Sequence, residues 1–127
     1  HARRALGAVA EVAVDQGHDL LAAYEDGSVR YLNSSGAAAV IDTPIPEVQV
    51  PATAMLQLGQ ELATAIGPWE GPLPTLPAGH SRVLVLTPSG PHFGQGEDAA
   101  LRGEPVAAAF LEAATKTLLA VVEATRQ

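Results

Sequence analysis

A chain of 127 residues that is 47% hydrophobic has the length of one domain and enough apolar side chains for one core. It contains no cysteine, which excludes a disulfide framework, a cysteine-ligated zinc and a cysteine nucleophile. With a formal net charge of −7, a single lysine (Lys116) and no basic run, it lacks the electrostatic footprint of a nucleic-acid binder and is disfavoured at anionic membranes.

The chain begins at His1 rather than Met. This reads as a processed end or a tag remnant, and Arg3-Arg4 as a flexible terminus. The cytoplasm is the expected compartment, with a signal peptide removed before residue 1 as the alternative. No apolar stretch approaches the ~18 residues expected of a membrane span.

Residues 6–15 alternate and read as a first strand, with Ala10, Val12 and Val14 on one face. Asp26-Gly27 then sits between two apolar and aromatic runs, a strong hairpin signal. A two-residue type I′ loop there pairs Glu25 with Ser28. It places Leu20, Ala22, Tyr24, Val29 and Tyr31 on the core face, with Tyr24 diagonal to Tyr31 and Arg30 diagonal to Glu25. Asn33-Ser34-Ser35-Gly36 fits a type I turn followed by a left-handed Gly, and Thr87-Pro88-Ser89-Gly90 repeats that pattern. The opening half is therefore a meander of four strands, near 6–15, 19–25, 28–33 and 37–42.

Pro44, Pro46 and Pro51 make 43–51 an extended connector, and Pro51 opens a helix. Met55, Leu58, Leu62, Ala65 and Ile66 form its apolar face. Residues 67–81, with four prolines and the single Trp69, are a second Pro-rich connector. A loop of this length in a small domain is usually functional or disordered. Val83–Leu86 reads as a central strand, Pro91–Gly94 as a short edge strand, 95–104 as a polar loop and 105–124 as a final helix. The fold class is α+β: a single domain over 1–127, an antiparallel sheet of five to six strands in the order ββββ-α-ββ-α, and two helices on one face.

His18, His80 and His92 fall at turns or strand edges. His80 and His92 could meet across the Val83–Leu86 hairpin with Glu97 or Asp98, as a two-His, one-carboxylate site requires; solvated loop histidines are the favoured reading, so no metal and no cofactor are expected. The serines lie beside Gly and Pro without a Gly-x-Ser-x-Gly elbow, which argues against hydrolysis by a Ser–His–acid route. Gly90–Gly96 is rejected as a phosphate loop because Glu97-Asp98 follow it. Tyr24 and Tyr31, with His80 and His92, are the candidate ligand-binding residues.

Partner binding is assigned to Trp69, Leu73 and Leu76 in the Pro-rich loop, since Trp is enriched at interface hot spots. Leu118 and Val122 join them, because the final helix has a wider apolar arc than one sheet contact needs. The sequence reads as a non-catalytic protein-interaction or accessory module, expected to be a homodimer. The alternative is a small-ligand or metal-binding enzyme-like domain using the His80, His92 and Trp69 region.

Overall fold

The structure, a computed structural model, describes residues 4–126. His1 and Arg3, read above as parts of a terminus, lie outside the described residues. Arg4 lies inside them, and its Nε is 2.8 Å from Glu25 Oε2. In chain order the elements are β1 (Gly7–Val14), β2 (Gly17–Tyr24), β3 (Val29–Leu32), β4 (Ala38–Ile41) and α1 (Pro46–Ala65). There follow β5 (His80–Thr87), β6 (Gly90–Glu97), the short α2 (Asp98–Leu101) and α3 (Pro105–Thr125). The six strands form one antiparallel sheet in the order β4-β3-β2-β1-β5-β6. The α+β class and element order match the sequence expectation.

The central hairpin corrects the expected register. Tyr24, not Glu25, opposes Ser28: Tyr24 N donates to Ser28 O at 3.0 Å and Gly27 N to Tyr24 O at 3.0 Å. The loop therefore has three residues. Gly27 is left-handed (φ 94°), while Asp26 is not, so the turn is type I with a Gly bulge rather than type I′. Asp26 favours this form by accepting at Oδ1 from Ser28 N (2.9 Å) and Ser28 Oγ (2.7 Å). The same bonds hold its carboxyl below the usual carboxylate range. The next hairpin uses the same device as expected, with Gly36 N on Asn33 O at 3.0 Å and Gly36 at φ 96°.

A one-residue slip turns a strand over. The core pairs are Leu21↔Tyr31 and Ala23↔Val29, so Leu21 and Ala23 point to the helices while Leu20, Ala22 and Tyr24 point away. Tyr24 and Tyr31 thus lie on opposite faces, and Arg30 stacks over the Tyr24 ring (5.9 Å) while Arg4 takes Glu25. The Thr87 turn also differs. Thr87 opposes Gly90 directly, leaving only Pro88-Ser89 as the loop.

Both long helices pack on one face of the sheet and extensively on each other. Small residues let them approach. A Cβ on Gly59 of α1 would sit 3.3 Å from Val85 Cγ2, 3.4 Å from Phe110 Cε2 and 3.5 Å from Ala8 Cβ. Helix α1 begins five residues before the expected Pro51. Pro46 takes the first helical position, Ile45 N donates to Gln49 Oε1 (2.8 Å), and Pro51 lies inside the helix. An interior Pro costs about 3 kcal/mol; burial of Val48, Ala52, Met55 and Leu62 offsets it, at about 1.5–3 kcal/mol for each large side chain.

Helix α3 is capped by Glu104, whose Oε2 accepts from Val106 N (3.0 Å) and Ala107 N (3.2 Å). Against expectation it is apolar and long enough to span a membrane by length and composition, with mean hydropathy 1.5. Glu112 and Lys116 are its only charges before Glu123. The apolar arc serves packing instead: Phe110, Leu111, Ala113, Ala114, Thr117 and Val121 are buried against α1 and the sheet. Strand β6 is an edge strand as expected but runs on to Glu97, and α2 replaces part of the predicted loop.

Candidate interaction surface

The face of the sheet opposite the helices carries the features that packing leaves over. Its rows follow from the register. One row runs from β4 to β6 as Val40, Arg30, Ala22, Val9, Leu84 and Phe93. The next runs Ala38, Leu32, Leu20, Glu11, Arg82 and Gln95. Val40 is 58% exposed and Leu32 46%, whereas Val9 and Ala22 are buried.

The β5–β6 half of this face is covered by a strap, residues 67–77. Trp69 N donates to Pro91 O at 2.7 Å, using a carbonyl on the outer edge of β6. The Trp69 ring meets Phe93 edge to face at 5.1 Å, and its Nε1 donates to Pro72 O at 3.1 Å. Arg82 is the hub beneath. Its Nε donates to Gln95 Oε1 (2.9 Å), its Nη1 lies 3.0 Å from Glu11 Oε2, and its Nη2 donates to Pro74 O. The guanidinium also stacks over Phe93 at 5.8 Å. Gln95 Nε2 reaches Thr75 O at 3.4 Å. Prolines preset the extended course of the strap and lower its ordering entropy. Fastened in this way, Trp69 remains 41% exposed and Leu73 36%, while Leu76 is half-buried.

The other sequence candidates are dispersed. Leu118 packs against the core beside Val12 and Leu21 of the sheet, and Val122 is half-buried. Tyr24 lies across Gly7 on the open face; Tyr31 faces the helices, where burial and the nearby Asp19 raise its hydroxyl pKa. His80 opposes Glu97 and His92 opposes Val85. They stand five residues, about 17 Å, apart along the hairpin and on opposite faces, so they do not meet. His92 is buried: Nδ1 donates to Ile66 O at 2.6 Å and Nε2 lies 3.1 Å from Thr87 Oγ1. It ties the end of α1 to β6.

At the other end of β5, Ser81 is buried, donates to Asp98 Oδ1 (2.6 Å) and accepts from Ala13 N (2.9 Å). His18 Nε2 is committed to His80 O at 2.9 Å. Serine, acid and histidine are therefore neighbours, but the serine proton goes to Asp98 and not to an imidazole, and the hydroxyl is enclosed. Burial raises the Asp98 carboxyl, but hydrogen bonds from Ser81 and Arg102 outweigh it and the net shift is downward. Among the described residues no group of three His, Asp or Glu side chains could hold a metal ion. A groove of about 520 Å³ between α1 and α3 is lined by Val50, Pro51, Ala54, Leu58, Ala109 and Ala113; the only cation on its rim, Lys116, is paired with Glu112 at 3.4 Å.

Sequence reasoning missed Arg82 and Glu11. Each sets a charge among the otherwise uncharged side chains of its strand, which was the available signal. Their partnership depends on the pairing of β1 with β5, across about half the chain. No family model, curated protein or solved structure matches this chain.

Proposed function

We propose that this chain is a non-catalytic protein-interaction module, acting as an accessory subunit or adaptor, which docks through the open sheet face and its strap. The observation that carries this reading is the placement of Trp69. The ring is held by a backbone hydrogen bond and an aromatic contact, yet stays partly exposed on the face that also bares Leu32 and Val40. A fixed, half-exposed Trp loses little conformational freedom on binding, and such anchors dominate interface energetics. Leu32 and Val40 add exposed apolar side chains at the far end of the same face, and exposed apolar surface of this kind marks a docking site.

The test places a photocrosslinking side chain at Leu32 and, as a control, at Thr53 on the outer surface of α1. A discrete adduct at Leu32, lost in Val40→Glu and not formed at Thr53, supports the reading. A saturable thermal shift with a metal ion or metabolite, together with no Leu32-specific adduct, overturns it.

A further inference from the structure

We infer that the partner on this face is a second copy of the chain, packed sheet to sheet about a two-fold axis. This rests on the docking reading above and names its partner. The face is built in two halves of different height. The strap forms a ridge over β5–β6, whereas β4–β3–β2 carry only side chains: Val40, Arg30, Ala38, Leu32 and Leu20. A two-fold axis near the middle of the sheet sets each ridge over the bare half of the other copy. Sheets packed face to face lie about 10 Å apart, which leaves room for one layer of extended chain over a bare half. A two-fold contact uses the same patch twice, so a surface with one raised and one flat half fits itself.

Area and charge agree with this occupant. Six strands spaced about 4.8 Å apart, at about 3.3 Å per residue, give a face on the order of 600 Å² in projection, before side-chain relief. A standard interface takes about 800 Å² from each partner. Two copies carrying −7 each repel unless their contact is matched. Arg30 is the exposed charge of the bare half, and Glu70 is the exposed charge of the strap beside Trp69. Ridge over flat brings Glu70 of one copy to Arg30 of the other, twice per dimer. Trp69 and Leu73 then cover Leu32, Leu20 and Val40.

Sedimentation of the whole chain at micromolar concentration, with circular dichroism to verify folding, is the test. A dimer is expected. Leu32→Glu and Val40→Glu each weaken it by at least about tenfold, whereas Leu119→Glu, on the outer surface of α3, leaves it unchanged. Arg30→Glu and Glu70→Arg each weaken it, and the two together restore it. A folded monomer overturns the inference, as does a dimer broken by Leu119→Glu but indifferent to Leu32→Glu. A monomer that still forms the Leu32-specific adduct with a different protein overturns the second-copy assignment alone and leaves the docking reading standing.

Discussion

The face of the sheet toward the helices carries Ala8, Ala10, Leu21, Ala23, Val29, Val83 and Val85; the opposite face carries Val9, Leu20, Ala22, Leu32, Val40, Leu84 and Leu86. Residue types on the two are alike, but their cover is not. Two long helices close the first, and every residue named on it is buried. A Pro-rich strap closes only part of the second. A strand that is apolar at both parities needs two covers, and the described chain supplies one and a fraction. The difference separates the part of the molecule that holds it together from the part available to a partner.

Substitutions sharpen the contrast, and the largest effect belongs to the closed face. Phe110→Ala removes a fully buried ring between α1, α3 and the sheet and is expected to cost about 3–5 kcal/mol in chemical denaturation. A loss below ~1 kcal/mol would mean that the helices are not seated as described.

Under the strap, Arg82→Ala strips Glu11, Gln95 and Pro74 of their partner. Breaking a fully buried pair costs about 3–5 kcal/mol; here about 2–3 kcal/mol is expected, because Glu11 is 24% exposed and can rehydrate. Trp69 emission should shift to the red as the strap loosens, and an unchanged spectrum would show that Arg82 does not fasten it.

At the turn between the strands, Gly27→Ala places a Cβ at φ 94°. The expected loss is about 1–2 kcal/mol, read from the denaturation midpoint. No change would rule out a left-handed residue in this loop.

The Ser81–Asp98 bond gives a pH-dependent comparison. The folded Asp98 pKa is depressed, so its contribution is present above the unfolded value, about 3.9, and is lost as pH falls through the lower folded value. Ser81→Ala removes the larger of the lowering interactions. The stability gap between the parent chain and this variant should therefore be full at neutral pH and narrow below about pH 4. A gap that stays constant into acid would assign the whole cost to the orphaned Ala13 N–H. Smallest of all is Leu32→Glu on the open face, expected within about 0.5 kcal/mol of the parent chain when both are monomeric at high dilution; a core-sized loss under that condition would show that Leu32 is not exposed in the single chain.

What the sequence revealed follows the range of the interactions involved. Asn33–Gly36 was legible because a turn is a matter of a few adjacent residues. Asp26-Gly27 located its hairpin but misled on register. Two loop types accept that dipeptide, and the choice fell to Ser28 bonding back to Asp26. Pro46 and Pro51 both fit a first helical turn, and only burial of Val48 and Ala52 decided for the earlier start. The open face was out of reach, since the slip in β2 exchanges Leu20 and Ala22 for Leu21 and Ala23. The strap was singled out by Trp69 and its prolines, but not Arg82 beneath it, which depends on a distant strand.

The central claim is that the β4–β3 end of the face opposite the helices, with Leu32 and Val40, is bare in the single chain and, as proposed, is closed by docking. Footprinting with a reactive carbene, read residue by residue over a range of protein concentrations, tests it most directly. At high dilution Leu32, Val40, Trp69 and Leu119 should all be labelled. As concentration rises, Leu32, Val40 and Trp69 should become protected together while Leu119 on α3 stays labelled. Uniform labelling at every concentration, or protection of Leu119 in place of Leu32 and Val40, would contradict it.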